Sequence, residues 1–75
     1  MNYQAIEWAI KERRPFGHGQ SMTGENDGKT YSIYSYSTLI YQEDLSNGNA
    51  LLWNTDKYSQ TTSRQQNIIK RALGL

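Results

Sequence analysis

The sequence predicts an α+β fold in the order α-β-β-β-α: an N-terminal helix, a small antiparallel sheet of about three strands, and a C-terminal helix. Three observations lead there. Residues 3–14 and 61–73 place their apolar side chains at helical spacing. Between them, TYSIYSYSTLIYQ is dense in aromatic and β-branched residues separated by polar ones. Asn47-Gly48 is the strongest short turn signal in the chain, of the type I′ kind that joins two strands.

Along the first helix, Ala5, Ile6, Ala9 and Ile10 share one arc of the wheel, with Tyr3 at its edge. Gln4, Glu7, Lys11 and Arg14 lie opposite, and Glu7 and Lys11 stand in the favourable i,i+4 order. Pro15 ends the helix, since it disfavours α conformation in the residue before it. Trp8 falls off the centre of the apolar arc, where it either covers a second element or is partly exposed.

Residues 16–29, FGHGQSMTGENDGK, read as a glycine-punctuated loop with room for one short strand. In 30–42 the alternation changes phase: Tyr31 and Ile33 lie on one face, Tyr34, Tyr36 and Ile40 on the other. Either a bulge near Ser35 or two strands with a bend accounts for the change. Ala50 to Asn54 returns as a strand after the Asn47-Gly48 turn, and Tyr58-Ser59 is a candidate for a further short one. The last helix opens at Thr61-Thr62-Ser63, where Thr62 with Gln65 and Ser63 with Gln66 both have capping-box spacing. Ile68, Ile69, Ala72 and Leu73 form its apolar arc; Arg64, Asn67, Lys70 and Arg71 lie opposite, and Gly74 is a natural stop.

At 75 residues the chain is expected to be a single domain, with a core thin enough that a homodimer is the natural extra support. It has no cysteine, which excludes disulfides, thiolate metal sites and thiol nucleophiles. The opening MNYQAIEWAIKERR lacks a continuous apolar segment, and no apolar run approaches the ~20 residues that span a bilayer. A cytoplasmic protein without a membrane partner is therefore expected.

Charge is unevenly distributed. Residues 31–56 carry Glu43, Asp44 and Asp56 and no basic group, whereas 57–75 carry Lys57, Arg64, Lys70 and Arg71 and no acidic one. This asymmetry suits an anionic partner, or an acidic hairpin that attracts the basic helix within the fold. Lys70 and Arg71 also sit where cations favour the helix dipole.

No catalytic chemistry is expected. His18 is the only histidine, between two glycines and with no sequence-near carboxylate to orient it. One imidazole is too few ligands for a metal. The chain has no phosphate-binding glycine loop, no HExxH and no nucleophile elbow, so neither a cofactor nor a metal is expected. What remains is binding. Tyrosines on a sheet beside basic residues can stack unpaired bases or anchor a protein interface. The candidate contact residues are Tyr34, Tyr36 and Tyr58 with Arg64, Asn67, Lys70 and Arg71. The donor-rich run Tyr58 to Asn67, at a helix N-terminus, is either an anion site or a plain capping network.

Three segments carry a resemblance: Gly19-Gln20-Ser21-Met22; Tyr34-Ser35-Tyr36-Ser37-Thr38-Leu39-Ile40; and Tyr58 to Asn67 followed by Lys70-Arg71-Ala72-Leu73. They resemble a group of short proteins encoded by bacteriophages and other mobile elements. The chain departs from that pattern near Gln65, where a histidine would be expected. The resemblance implies a non-enzymatic protein that binds and inhibits a host defence factor, such as a CRISPR effector, in the host cytoplasm. Its partner would be a host protein or nucleoprotein complex; the alternative is a small nucleic-acid-binding module.

Overall fold

The computed structural model describes residues 2–19, 21–54 and 60–75, with side chains of the last segment from residue 63 onward. Its elements run α1 (Tyr3–Lys11), β1 (Phe16–His18), β2 (Met22–Asn26), β3 (Thr30–Ser35), β4 (Thr38–Asp44), β5 (Ala50–Trp53) and α2 (Gln60–Leu73). The class is α+β, with five strands among the described residues rather than about three. They pair in chain order, β1-β2-β3-β4-β5, as an antiparallel meander.

The two additional strands at the start come from the segment read as a loop. Phe16 pairs with Gly24 and His18 with Met22. A Cβ on Gly24 would lie 2.3 Å from Cε1 of Phe16, so the ring lies where a side chain would stand. The glycine is therefore a packing device rather than a turn signal. The aromatic run 30–42 divides into two strands joined at Tyr36-Ser37, with Ser35 paired to Thr38. Tyr36 adopts φ +56°, unusual for a side chain of that size. A bulge opposite Ile33 turns both Ile40 and Tyr41 into the interior, so Ile40 shares the core face with Tyr31 and Ile33 and departs from the predicted phase. The Asn47-Gly48 turn is a five-residue connection, not a two-residue I′ turn. Only Gly48 has positive φ, and its N–H donates to the Asp44 carbonyl at 2.7 Å.

Helix α1 starts at an N-cap the periodicity did not signal: Asn2 Oδ1 accepts from the Ala5 N–H at 2.8 Å. It ends at Lys11, before the proline, because Arg13 turns into the left-handed region at φ +54°. The Arg13 N–H then donates to the Ile10 carbonyl and the Arg14 N–H to that of Ala9, which closes the helix end. Helix α2 begins at Gln60, so Thr62 and Ser63 lie inside it rather than at its cap. It closes as predicted: Gly74 has φ +70°, and the Leu75 N–H donates to the Lys70 carbonyl. The suggested strand at Tyr58-Ser59 lies outside the described residues.

One apolar cluster joins both helices to one face of the sheet: Ile6, Ala9 and Ile10 from α1, Ile68 and Ile69 from α2, and Met22, Tyr31, Ile33, Ile40 and Tyr41 from the strands. Each buried aliphatic side chain contributes about 1.5–3 kcal/mol. The register assigns Thr23, Tyr34 and Leu39, and next to them Glu25, Ser32, Gln42 and Leu52, to the opposite face. Trp8 is half-exposed, with the Arg14 guanidinium 4.9 Å above its ring.

A candidate binding groove between the helices

The apolar arc of α2 is consumed by the core, so its neighbouring positions decide what the helix offers outward. Arg64, Asn67, Ile68 and Arg71 follow one another at i, i+3, i+4 and i+7 and fall along one stripe. Tyr3, from the first turn of α1, stands beside that stripe. These five residues line a groove of about 200 Å³. Ile68 is 3% exposed and forms its floor, and Tyr3 is 38% exposed and forms one wall. The outer face of Tyr3 also meets His18, with ring centroids 5.6 Å apart.

The electrostatics of the groove are set by a carboxylate on α1. Arg71 Nε lies 3.1 Å from Glu7 Oε1, and the other carboxylate oxygen of Glu7 lies 3.6 Å from Lys11 Nζ. The basic helix thus finds its acid on α1 and not, among the described residues, on the hairpin. The hairpin acids have their own partners. Glu43 is buried beneath Arg13, and Asp44 accepts from both the N–H and the hydroxyl of Ser46. Arg64, exposed at the other end of the groove, makes no ion pair among the described residues.

The remaining predicted contact residues are dispersed. Lys70 is exposed on α2 but does not line the groove. Tyr34 lies on the sheet face away from the core, half-buried, and Tyr36 is exposed at the β3–β4 turn. Tyr58 lies outside the described residues. Three of the predicted residues, Arg64, Asn67 and Arg71, therefore come together. Two contributors went unnoticed: Tyr3, read only as the edge of an apolar arc, and Glu7, read only as the partner of Lys11.

A larger cavity of about 390 Å³ opens between the β2–β3 turn and the β4–β5 loop, lined by residues that include Lys29, Thr30, Asp44 and Ser46. The carboxylates of the two turns beside it are engaged within those turns. Asp27 accepts from the N–H groups of Thr30 and Lys29, and these bonds hold its carboxyl below the ordinary value. The hydroxyl and N–H of Ser46 do the same for Asp44. Among the described residues no three histidine, acid or cysteine side chains gather as a metal site, and no helix is long and apolar enough to cross a membrane.

No family model, curated protein or solved structure matches this chain.

Proposed function

We propose that this protein acts by binding and not by catalysis, and that its partner is a host defence factor, with a CRISPR effector as the specific candidate. The observation that carries the binding half is the groove: Arg64, Asn67, Arg71 and Tyr3 surround one depression over an apolar floor. Such a combination of guanidinium, aromatic and aliphatic contact is what anchors protein interfaces. The defence half rests on the resemblance to phage and mobile-element proteins, which also supports action in the host cytoplasm. The test is plaquing of a targeted phage on a CRISPR-immune host that expresses the protein. Plaque numbers should rise toward those on a host without immunity. Unchanged plaquing across representative immune systems would overturn the defence half.

A second reading, a nucleic-acid-binding module, draws on Arg64 and Lys70, which are exposed and without ion pairs among the described residues. Tyr34 and Tyr36 would supply base contacts, from elements other than the helix that carries the cations. Binding of that kind weakens steeply as salt rises, so a salt titration against a short oligonucleotide tests it. Flat or absent binding would dismiss it.

A further inference from the structure

We infer that the groove between α1 and α2 receives an acidic side chain, with an aliphatic neighbour, from a segment of a protein partner. The inference rests on the binding reading above and names the chemistry of the partner it requires. Two guanidiniums face this groove from positions seven residues apart, Arg64 and Arg71. At ~1.5 Å per residue their backbones are separated by about 10 Å along the helix. The two are not equivalent. Arg71 already holds a carboxylate through Nε, that of Glu7 at 3.1 Å, whereas Arg64 holds none among the described residues. Glu7 thus displays, within the chain, the kind of group the stripe accepts. A second carboxylate at Arg64 would repeat the contact two turns away.

Between the two guanidiniums the groove turns apolar. The floor is Ile68 and the wall is the ring of Tyr3, with the Asn67 amide and the Tyr3 hydroxyl as the neutral hydrogen-bonding groups. A guanidinium matches a carboxylate with two parallel donors, and the adjacent ring and isoleucine suit a leucine- or valine-sized side chain. The charge pattern argues against a polyanion. Nucleic acid needs a continuous basic track, and here the Glu7 carboxylate interrupts it at the Arg71 end of the stripe. At about 200 Å³ the groove is also smaller than the ~300–1,000 Å³ pockets that enclose whole small molecules. It holds one or two side chains.

The experiment is a titration of isotopically labelled protein, followed by NMR. The probes are a short peptide alternating glutamate and leucine, the same peptide with glutamine for glutamate, and a short thymidine oligonucleotide. The glutamate peptide should shift the Arg64 side-chain Nε–H signal and the Ile68 methyls. It should bind about tenfold more tightly than the glutamine peptide, the least that one charge-assisted contact supplies. Arg64→Gln should remove that preference while the rest of the spectrum stays unchanged. Equal binding of the two peptides, no shift at the groove with either, or stronger binding of the oligonucleotide at the same signals would each overturn the inference. Its failure is separable from that of the broader reading. If Arg64→Gln leaves an established rise in plaquing intact, the groove is wrong and the defence function stands.

Discussion

Arg13 donates from Nε to Oε2 of Glu43 at 2.7 Å, tying the end of α1 to β4 across thirty positions of sequence. The Glu43 side chain is 3% exposed and the Arg13 side chain 33%, so the pair is buried on one side only. Tyr41 donates its hydroxyl to the other oxygen of Glu43 at 2.7 Å. Arg13 Nη1 meanwhile donates to the carbonyls of Ile10 and Lys11, capping the helix end from which it departs. The backbone at Arg13 is left-handed, a conformation usually taken by glycine. One residue thus closes a helix and neutralises a buried acid.

Those two duties can be separated by substitution. Arg13→Ala strands the Glu43 carboxylate and should cost about 3 kcal/mol, the lower end for a broken buried pair because the arginine is partly solvated. Arg13→Gly loses the same pair but relieves the left-handed backbone, and should recover about 1 kcal/mol of that loss. Urea unfolding of both variants measures the difference. If the glycine variant is no more stable than the alanine variant, positive φ at this site carries no strain.

The same interior makes the fold sensitive to alkali. Burial pushes the hydroxyl of Tyr31 up from its ordinary pKa, and burial with the Glu43 hydrogen bond does so for Tyr41. A group whose folded pKa is raised contributes stability that is complete below the unfolded value, here 10.0. That stability is lost as pH climbs past it, because only the unfolded chain readily releases the proton. Unfolding free energy should therefore hold up to about pH 10 and fall above it. In an absorbance titration Tyr31 and Tyr41 should ionise late and together with loss of structure. The Tyr41→Phe variant should lose one of these two late ionisations. Ionisation of Tyr31 and Tyr41 ahead of any loss of structure would contradict the burial of this pair.

How far the fold could be read ahead of the structure depended on whether its signals were local. Ile6, Ala9 and Ile10, and Ile68 and Ile69, announced their burial by spacing alone, and all are core residues. The first two strands gave no such sign. Phe16-Gly17-His18 and Met22 to Asn26 hold few β-branched residues, and Gly24 owes its place to a ring eight positions away. The Tyr36-Ser37 turn lacks the usual glycine or asparagine, so the sequence left a bulged strand and two strands with a bend as equal alternatives, and the structure takes the second. In the groove, Arg64, Asn67 and Arg71 were visible because one helix presents all three. Tyr3 was not, since nothing in the sequence says which flank of α2 lies against α1. The pairing of Arg13 with Glu43 is likewise invisible to any local pattern.

The contact between Phe16 and Gly24 gives a sharp test of the reassigned loop. Gly24→Ala would place a methyl 2.3 Å from the ring and force it aside, at a cost of about 1–3 kcal/mol. Gly17→Ala, in the neighbouring strand, meets nothing within 4 Å and should change stability by less than about 0.5 kcal/mol. Thermal unfolding of the two variants compares them directly. Equal effects would mean that β1 does not pair with β2 in this register.

Gln65 makes the opposite case, a polar group the interior would do better without. It is 1% exposed, and its Nε2 donates to the Ser21 carbonyl at 2.9 Å. Its Oε1 is buried with no partner among the described residues. The Ser21 carbonyl also accepts from the Tyr36 N–H at 3.0 Å, so it stays bonded if the amide is removed. Gln65→Leu therefore loses one modest hydrogen bond and removes a desolvated acceptor, and should stabilise the protein by up to about 1 kcal/mol. Gln65→Ala removes the same polar group but leaves a void under α2, and should destabilise by about 2 kcal/mol. Both are read from the urea midpoint at constant slope. A leucine variant that loses as much as the alanine variant would show that the amide oxygen is satisfied and that Gln65 is a structural link between α2 and the β1–β2 turn.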